Sequence, residues 1–329
     1  MRTHILKRLA LITFVACAAD TVPAAAPPTG VSYPTKAIRL LVGFNPGGGA
    51  DTLARLMGPS FSDLLGQPLV IDNRAGANGV ISMELTAKAP ADGYTLMLLS
   101  GSSVVSATLL TKIAFDINKS FAPVSLLTKY PYVLLVPRSL PVSGVKELVA
   151  LAKSKPGALN YGSSGQGSAA HLGMELFKQA AGVDMAHIPY KGIGPAITEL
   201  MGGQIHLLFG STVSAGAAVA TGKVRALAVT SMRRAKALPD LPTIAESGVS
   251  NFDLTGWYGL VAPAGVPGPV ITKLNQAAAH VLSLPDVQNK LTRDGSEPVP
   301  STPAQLATTI AKEIRTWKKL MQQSNLKFE

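Results

Sequence analysis

Along the chain from Lys36, short β-branched or leucine-rich runs alternate with longer stretches whose apolar residues recur at helical spacing. That alternation marks a mainly parallel sheet flanked by helices. The first run, 38–44, leads into Asn45-Pro46-Gly47-Gly48-Gly49-Ala50-Asp51, after which Leu53, Leu56, Met57 and Leu64 share a helical period and Gly66 supplies a stop. The unit reads as strand, glycine loop, helix. Further strands are expected at 70–71, 95–99, 122–127 and 132–136. Pro137 and Pro141 bracket a crossing segment before a helical pattern at 144–153.

The same unit then recurs. Leu159-Asn160-Tyr161 runs into Gly162-Ser163-Ser164-Gly165-Gln166-Gly167-Ser168, and Leu172, Leu176 and Phe177 mark the helix that follows. Strands at 185–190, 205–209 and 224–229, with helices at 195–201 and 243–247, complete a second sheet. Near Gly256-Trp257-Tyr258-Gly259 the chain returns to the first sheet through a strand at 260–261 and two long helical patterns. Thr302-Pro303-Ala304-Gln305 fits a capping box with proline at the first helical position, and Leu306, Ile310, Ile314, Trp317 and Met321 line one face of the last helix. The expected architecture is α/β in two lobes, each a mainly parallel sheet flanked by helices. Lobe 1 takes 33–137 and 256–329, and lobe 2 takes 138–255, so the chain crosses more than once, as in a hinged clamp.

Composition agrees with two lobes. The 329 residues, 47% hydrophobic, can fill one large core or two ordinary ones. Thirty Lys and Arg against nineteen Asp and Glu give a net charge of +11, which would suit an anionic partner. The charge is dispersed, however: the longest basic runs are the pairs Arg233-Arg234 and Lys318-Lys319, and aromatics make up 5%. Neither a phosphate-tracking stripe nor a base-stacking platform is present, which argues against nucleic acid.

The beginning of the chain has the pattern of an export signal. Arg2, Lys7 and Arg8 precede an apolar run at 9–19, and small residues follow through Ala24-Ala25-Ala26. A leader over 1–26 with cleavage near Ala26 is expected. The apolar run is about half of the roughly 20 residues that span a bilayer. Cys17, the only cysteine, lies in this leader, so the mature protein is expected to have no disulfide and no thiolate metal site. Phe14-Val15-Ala16-Cys17 loosely resembles a lipoprotein cleavage box, with Phe14 where Leu is usual, so lipidation at Cys17 stands as the alternative.

The two glycine loops are the foremost site candidates. A loop between a strand's end and a helix's start offers unpaired N–H groups beside the positive end of the helix dipole, and so favours an anion. Each hydrogen bond to a charged group contributes about 1.5–3 kcal/mol, so a few amides could hold a carboxylate without any arginine. The spacing equally allows loops that only make tight turns. Asp51 is expected to be the N-cap of its helix, with ligand contact as a second role, and Trp257 and Tyr258 either line the cleft or pack beneath it.

Enzyme readings of the same residues lack parts. Gly165-Gln166-Gly167-Ser168-Ala169-Ala170 satisfies the dinucleotide pattern, but Tyr190-Lys191-Gly192 stands where an acid should hold a ribose. Neither loop ends in Gly-Lys-Ser/Thr, and Gln166 breaks a nucleophile elbow around Ser164. A serine-type hydrolase using Ser164 and His171 remains the rival, with no nearby acid to orient the histidine. His4, His171, His187, His206 and His280 show no metal-ligand spacing, so neither metal nor cofactor is expected.

Tyr33-Pro34-Thr35-Lys36-Ala37-Ile38-Arg39, the segment from Phe44 to Asp51 and Asp72-Asn73-Arg74-Ala75-Gly76-Ala77-Asn78-Gly79 together resemble the opening of the Bug/TctC family of periplasmic receptors for tripartite tricarboxylate transporters. The likeness continues in order through Asp92-Gly93-Tyr94, Asn160 to Ser168, Pro189-Tyr190-Lys191-Gly192, Gly222-Lys223-Val224-Arg225, Leu238-Pro239-Asp240-Leu241-Pro242-Thr243 and Gly256-Trp257-Tyr258-Gly259. The resemblance implies a Venus-flytrap fold, a periplasmic location and a ligand carboxylate held largely by backbone groups of two loops. It places ligand contacts at Phe44, Pro46, Gly47, Gly48, Gly49 and Asp51, at Gly162, Ser163, Ser164, Gly165, Gln166, Gly167 and Ser168, and at Tyr190, Gly210 and Ser211. It further implies a non-enzymatic, monomeric receptor that takes a di- or tricarboxylate, an aromatic carboxylate or an acidic amino acid. Closed on its ligand, such a receptor would meet a membrane transporter or a sensor. Many relatives have Phe-Asp-Asn where this chain has Phe209-Gly210-Ser211, a departure that either argues against a ligand whose ammonium needs a carboxylate partner or simply widens the pocket.

Overall fold

The computed structural model describes residues 33–109 and 113–324, and the described residues from Pro34 on form one compact unit. The expected leader, with Cys17, lies outside the described residues. The chain begins with β1 (Ile38–Val42), α1 (Gly49–Leu65), β2 (Leu69–Asn73), a 3-10 turn at Ala77–Gly79, α2 (Val80–Ala87), β3 (Thr95–Ser100) and α3 (Gly101–Leu109). β1 runs parallel to β2 and β3. Ile38, Leu40, Leu41 and Val42 are all buried, as expected for a strand covered on both faces.

The middle of the chain supplies α4 (Val145–Ser154), β5 (Asn160–Ser163), α5 (Ala169–Ala181), β6 (Ala186–Pro189), α6 (Ile193–Met201), β7 (Leu207–Ser211), α7 (Thr212–Ala220) and β8 (Val224–Val229). Here β5 runs parallel to β6 and β7. Two long strands join the halves. β4 (Phe121–Pro137) pairs with β9 (Thr255–Pro263) over its first part and with β7 and β8 over its last, always antiparallel, while β9 also pairs antiparallel with β3. The resulting order is β2-β1-β3-β9-β4-β7-β5-β6, with β8 and β10 (Glu297–Pro298) attached to β4. Parallel pairing thus belongs to the flanks, and every antiparallel pair involves β4 or β9.

Strands at 122–127 and 132–136 were expected to be separate. They are one strand, because Pro131, which lacks an N–H, lies opposite Thr255 at the end of the β9 pairing, where a missing donor breaks no long ladder. The expected helix at 243–247 is only a turn. Thr243 and Glu246 exchange capping bonds, with the Thr243 N–H donating to Glu246 Oε2 at 2.9 Å and the Glu246 N–H to Thr243 Oγ1 at 2.9 Å. Gly248, at φ +105°, stops propagation.

α8 (Gly268–Ser283), α9 (Pro285–Arg293) and α10 (Pro303–Ser324) close the chain. The capping box that starts α10 forms as expected: the Thr302 N–H donates to Gln305 Oε1 at 2.9 Å, and the Gln305 N–H to Thr302 Oγ1 at 3.3 Å. Leu306, Ile310 and Ile314 of α10 pack with Leu41, Met97, Val104, Leu126 and Val261. One turn on, Trp317 joins a different core built from Tyr161, Leu172, Phe177, Phe209 and Phe252. Glu313 lies between them, accepting from Trp257 Nε1 at 3.2 Å and Trp317 Nε1 at 2.6 Å, and burial raises its carboxyl pKa.

Candidate functional site

The first glycine loop is latched by a carboxylate. Gly48, not Asp51, is the N-cap of α1, its backbone extended at φ −76° and ψ 166°. Asp51 therefore falls at the third helical position and reaches back. Its Oδ2 accepts from the Gly47 N–H and from Arg55 Nε, both at 2.9 Å, and its Oδ1 accepts from Asn73 Nδ2 at 3.0 Å. The Arg55 guanidinium is the chief reason that the buried carboxyl titrates below the usual carboxylate range. Both oxygens are thus engaged within the protein, so Asp51 shapes the loop. Phe44 is half-buried with its carbonyl accepting from Asn73 Nδ2 at 3.0 Å, while Pro46 and Gly47 are exposed. With the Gly48 N–H donating to the Asn45 carbonyl at 3.3 Å, the donors left over are the first-turn amides of Gly49, Ala50 and Asp51, at the positive end of a 17-residue helix.

The second loop is latched by histidines. Ser168 caps α5, accepting from the His171 N–H at 3.3 Å, and His171 Nδ1 accepts from the Gly167 N–H at 3.0 Å. The His171 ring stacks on His187 with centroids 3.8 Å apart and planes 9° from parallel, and the Tyr161 ring lies beside the pair, 4.9 Å from His187 and 6.2 Å from His171. Ser163 Oγ lies 2.7 Å from His187 Nε2 and accepts from the Gly165 N–H at 3.1 Å. Burial lowers both imidazole pKa values, to about 4 for His171, helped by Lys178, and to about 3 for His187, where His171 adds to the effect. Both rings are therefore neutral at pH 7, as an accepting Nδ1 requires.

These contacts bear on the hydrolase reading. His171 Nδ1 is bonded to Gly167, and Ser163, which has 0% exposure, meets the ring of His187. The sequence pattern passed over His187 because it lies on a different strand, β6. Gly165 at φ +132° and Gly167 at φ +71° need glycine. From α3, Ser106 Oγ donates to the Gly167 carbonyl at 3.1 Å and Ser102 Oγ accepts from the Ala169 N–H at 3.4 Å. Among the described residues, Ser164 and the exposed Gln166 carry the loop's remaining amide donors. Half-buried Tyr190 abuts this loop, its ring 3.4 Å from where a side chain on Gly162 would begin.

A cavity of about 30 Å³ lies between the start of α1 and the start of α7. Gly49 and Thr52 face it from α1, Thr128 and Tyr130 from β4, Tyr258 from β9, and Ser211 and Thr212 from α7, with Leu53, Leu56 and Leu291 as the apolar wall and Asp294 and Ser296 completing it. Of the sequence-predicted residues, the cavity brings together Gly49, Ser211 and Tyr258; the 162–168 loop does not line it. Ser211 is the N-cap of α7, accepting from the Ser214 N–H at 3.3 Å, and Gly210 lies in β7 opposite Val133. Thr212 Oγ1 donates to the Asp294 carbonyl at 2.5 Å. Tyr130 stacks on Tyr258 at 5.0 Å and meets Tyr132 edge-on at 5.6 Å, and burial raises all three phenol pKa values, so they remain donors. Trp257 packs into the core instead, 3% exposed.

Outside this cavity, and sharing Tyr130 and Ser296 with it, lies a basin of about 370 Å³ lined by Lys129, Arg233, Arg234 and Lys236. Arg234 is paired with Glu246 at 2.9 Å; the other three side chains are exposed. Sequence reading noticed the Arg233-Arg234 pair but could not see that β4 brings Lys129 beside it.

Two α/β halves joined through β4 and β9, with helix starts converging on a cavity between them, define a periplasmic binding protein of the two-lobed type. Solved structures share the whole fold. "R. palustris Rpa4515 with adipate" matches with a TM-score of 0.84 and 36% identity, covering 89% of this chain and 98% of that one. "MatC (Rpa3494) from Rhodopseudomonas palustris with bound malate" matches at 0.79 and 33%, covering 88% and 99%. Protein BugT of Bordetella pertussis is 36% identical over 307 residues, 93% of this chain and 94% of that protein. Residues 53–326 match the tripartite tricarboxylate transporter family receptor, and the chain belongs to that family.

Proposed function

We propose that this protein is a periplasmic receptor that captures one small carboxylate compound between lobe 1 (33–137 with 256–329) and lobe 2 (138–255) and hands it to a tripartite tricarboxylate transporter. The observation that carries the reading is the convergence of helix starts: Gly49, the first residue of α1, lines the same cavity as Ser211 and Thr212 at the start of α7. Two solved relatives, Rpa4515 and MatC, hold adipate and malate, both carboxylates. Lobe 1 offers Gly49 at the start of α1, and lobe 2 offers Ser211 and Thr212 at the start of α7. A cavity of about 30 Å³ is too small for either compound, so the lobes part to admit ligand. A ligand touching both lobes favours the closed form and shifts the hinge toward it. The leader over 1–26 is removed near Ala26, and no helix among the described residues is long and apolar enough to cross a membrane.

The protein binds without converting its ligand. Native mass spectrometry of gently purified protein, followed by a thermal-shift screen of carboxylates, identifies the compound, because ligand that binds only the folded form raises the melting temperature with its occupancy. Recovery of unchanged ligand after long incubation supports the receptor reading. Accumulating product, abolished by Ser164→Ala, would support the hydrolase instead.

A further inference from the structure

Among the described residues, buried side-chain hydroxyls are hydrogen-bonded, with one exception. Ser125 Oγ donates to the Leu126 carbonyl at 2.7 Å, Thr230 Oγ1 to the Leu254 carbonyl at 2.6 Å and Thr86 Oγ1 to the Ser82 carbonyl at 2.8 Å. Among the described residues, Thr128 Oγ1 alone is a buried side-chain polar atom without a partner, and Thr128 is 1% exposed. A hydroxyl left unpaired in the interior destabilises a fold, so its retention calls for an explanation. Its position offers one. Thr128 follows a register shift between Leu126 and Thr128 on β4, lies opposite Tyr258 of β9 and Pro298 of β10, and lines the cavity between the starts of α1 and α7. Such irregularities re-aim side chains next to binding sites.

We propose that Thr128 is a ligand-binding residue whose hydroxyl donates to a carboxylate oxygen of the ligand, in a subsite completed by the Gly49 amide from α1 and the Thr212 amide from α7. The inference rests on the carboxylate-receptor reading and assigns that ligand a side-chain contact on the strand joining the halves. No lysine or arginine lines this cavity. The donors to the oxyanion are neutral, with Asp294 as the one acidic residue of the lining and the Leu53, Leu56 and Leu291 wall taking the carbon skeleton.

The test uses Thr128→Val, which keeps the shape and removes the hydroxyl, and Thr128→Ser, which keeps the hydroxyl. Both variants of the mature chain are titrated by calorimetry with adipate, malate, aspartate and benzoate, and melted without ligand. Thr128→Val is expected to bind the best wild-type ligand about 10- to 100-fold more weakly, the loss of one hydrogen bond to a charged group. It should melt at or above the wild-type temperature, since an unsatisfied group has been removed. Thr128→Ser should stay near wild type in affinity. Unchanged affinity in Thr128→Val would overturn the assignment, and so would a lower melting temperature, which would show that the hydroxyl is structural. Wild-type protein that binds none of the four compounds would instead overturn the receptor reading, and this subsite with it.

Discussion

The two glycine loops are built from one plan, strand then glycine loop then helix, yet their donors are disposed differently. The loop before α1 is held from one side by the Asp51 carboxylate, which engages Gly47 and leaves the first-turn amides beside the cavity. In the loop before α5 the Gly165 N–H donates to Ser163 Oγ, the Gly167 N–H to His171 Nδ1 and the Ala169 N–H to Ser102 Oγ, while Ser106 Oγ donates to the Gly167 carbonyl. A glycine loop at a helix start is thus an anion site only as far as the surrounding side chains leave its amides unbonded. The second lobe meets the cavity through the start of α7 instead.

The largest effect that separates the loops should come from adding a charge to each. Gly48→Asp is sterically tolerated, since a new Cβ would meet only the Asn45 carbonyl at 3.4 Å. It brings a like charge to the ligand's carboxylate, and calorimetry should show affinity weakened by at least about 100-fold with the melting temperature retained. Gln166→Asp on the second loop should weaken binding less, by about tenfold, through longer-range repulsion. Equal losses would mean that both loops hold the ligand alike.

Breaking the latches comes next. His171→Leu leaves the Gly167 N–H buried without its acceptor and should lower unfolding free energy by about 1–3 kcal/mol in denaturant titrations. Asp51→Asn keeps the shape but weakens the bonds to Gly47 and Arg55, for a loss of about 1 kcal/mol. The latches also respond to pH, over windows that begin at different values. The histidines are held neutral, with pKa values of about 4 and about 3 against 6.5 for an ordinary histidine, so the unfolded chain binds more protons between these limits. Their stabilisation is complete above pH 6.5 and is lost as pH falls toward 4. Asp51 has a lowered pKa, so its contribution is intact down to the ordinary carboxylate range and is lost only below it, where the last of the His187 loss also falls. Melting temperature against pH should fall in two steps, and His171→Leu should flatten the first.

The smallest effect concerns the basic basin. Arg233→Ser combined with Lys236→Ser should slow association of a carboxylate several-fold at low salt, leave dissociation nearly unchanged, and lose most of its effect at high salt. Stopped-flow measurements at two ionic strengths check this.

Much of this arrangement could be read from the chain because it is local. The periodicity before Gly47 and Gly165, the Thr302 capping box and the repeated strand, loop and helix unit all lie within a few residues of one another, and all formed. Asp51 was misplaced by three positions because glycine can cap a helix without a side chain, which leaves no polar residue to mark the start. The 243–247 segment has the cap of a helix but not the length, since Gly248 takes a left-handed backbone. What was missed is what distant segments create together. Thr128, Tyr130 and Thr212 carry no motif, and only the pairing of β4 with β9 and the crossing to α7 sets them around one cavity. His187 likewise became visible only when β6 paired with β5.

The central claim, a receptor closing on a carboxylate, is tested most directly by calorimetric titration of the mature chain with adipate and malate, alongside their methyl esters. The account predicts a single saturable site for at least one free acid, little or no binding of its ester, and recovery of the acid unchanged. Equal binding of acid and ester, or no binding of either acid, would contradict it.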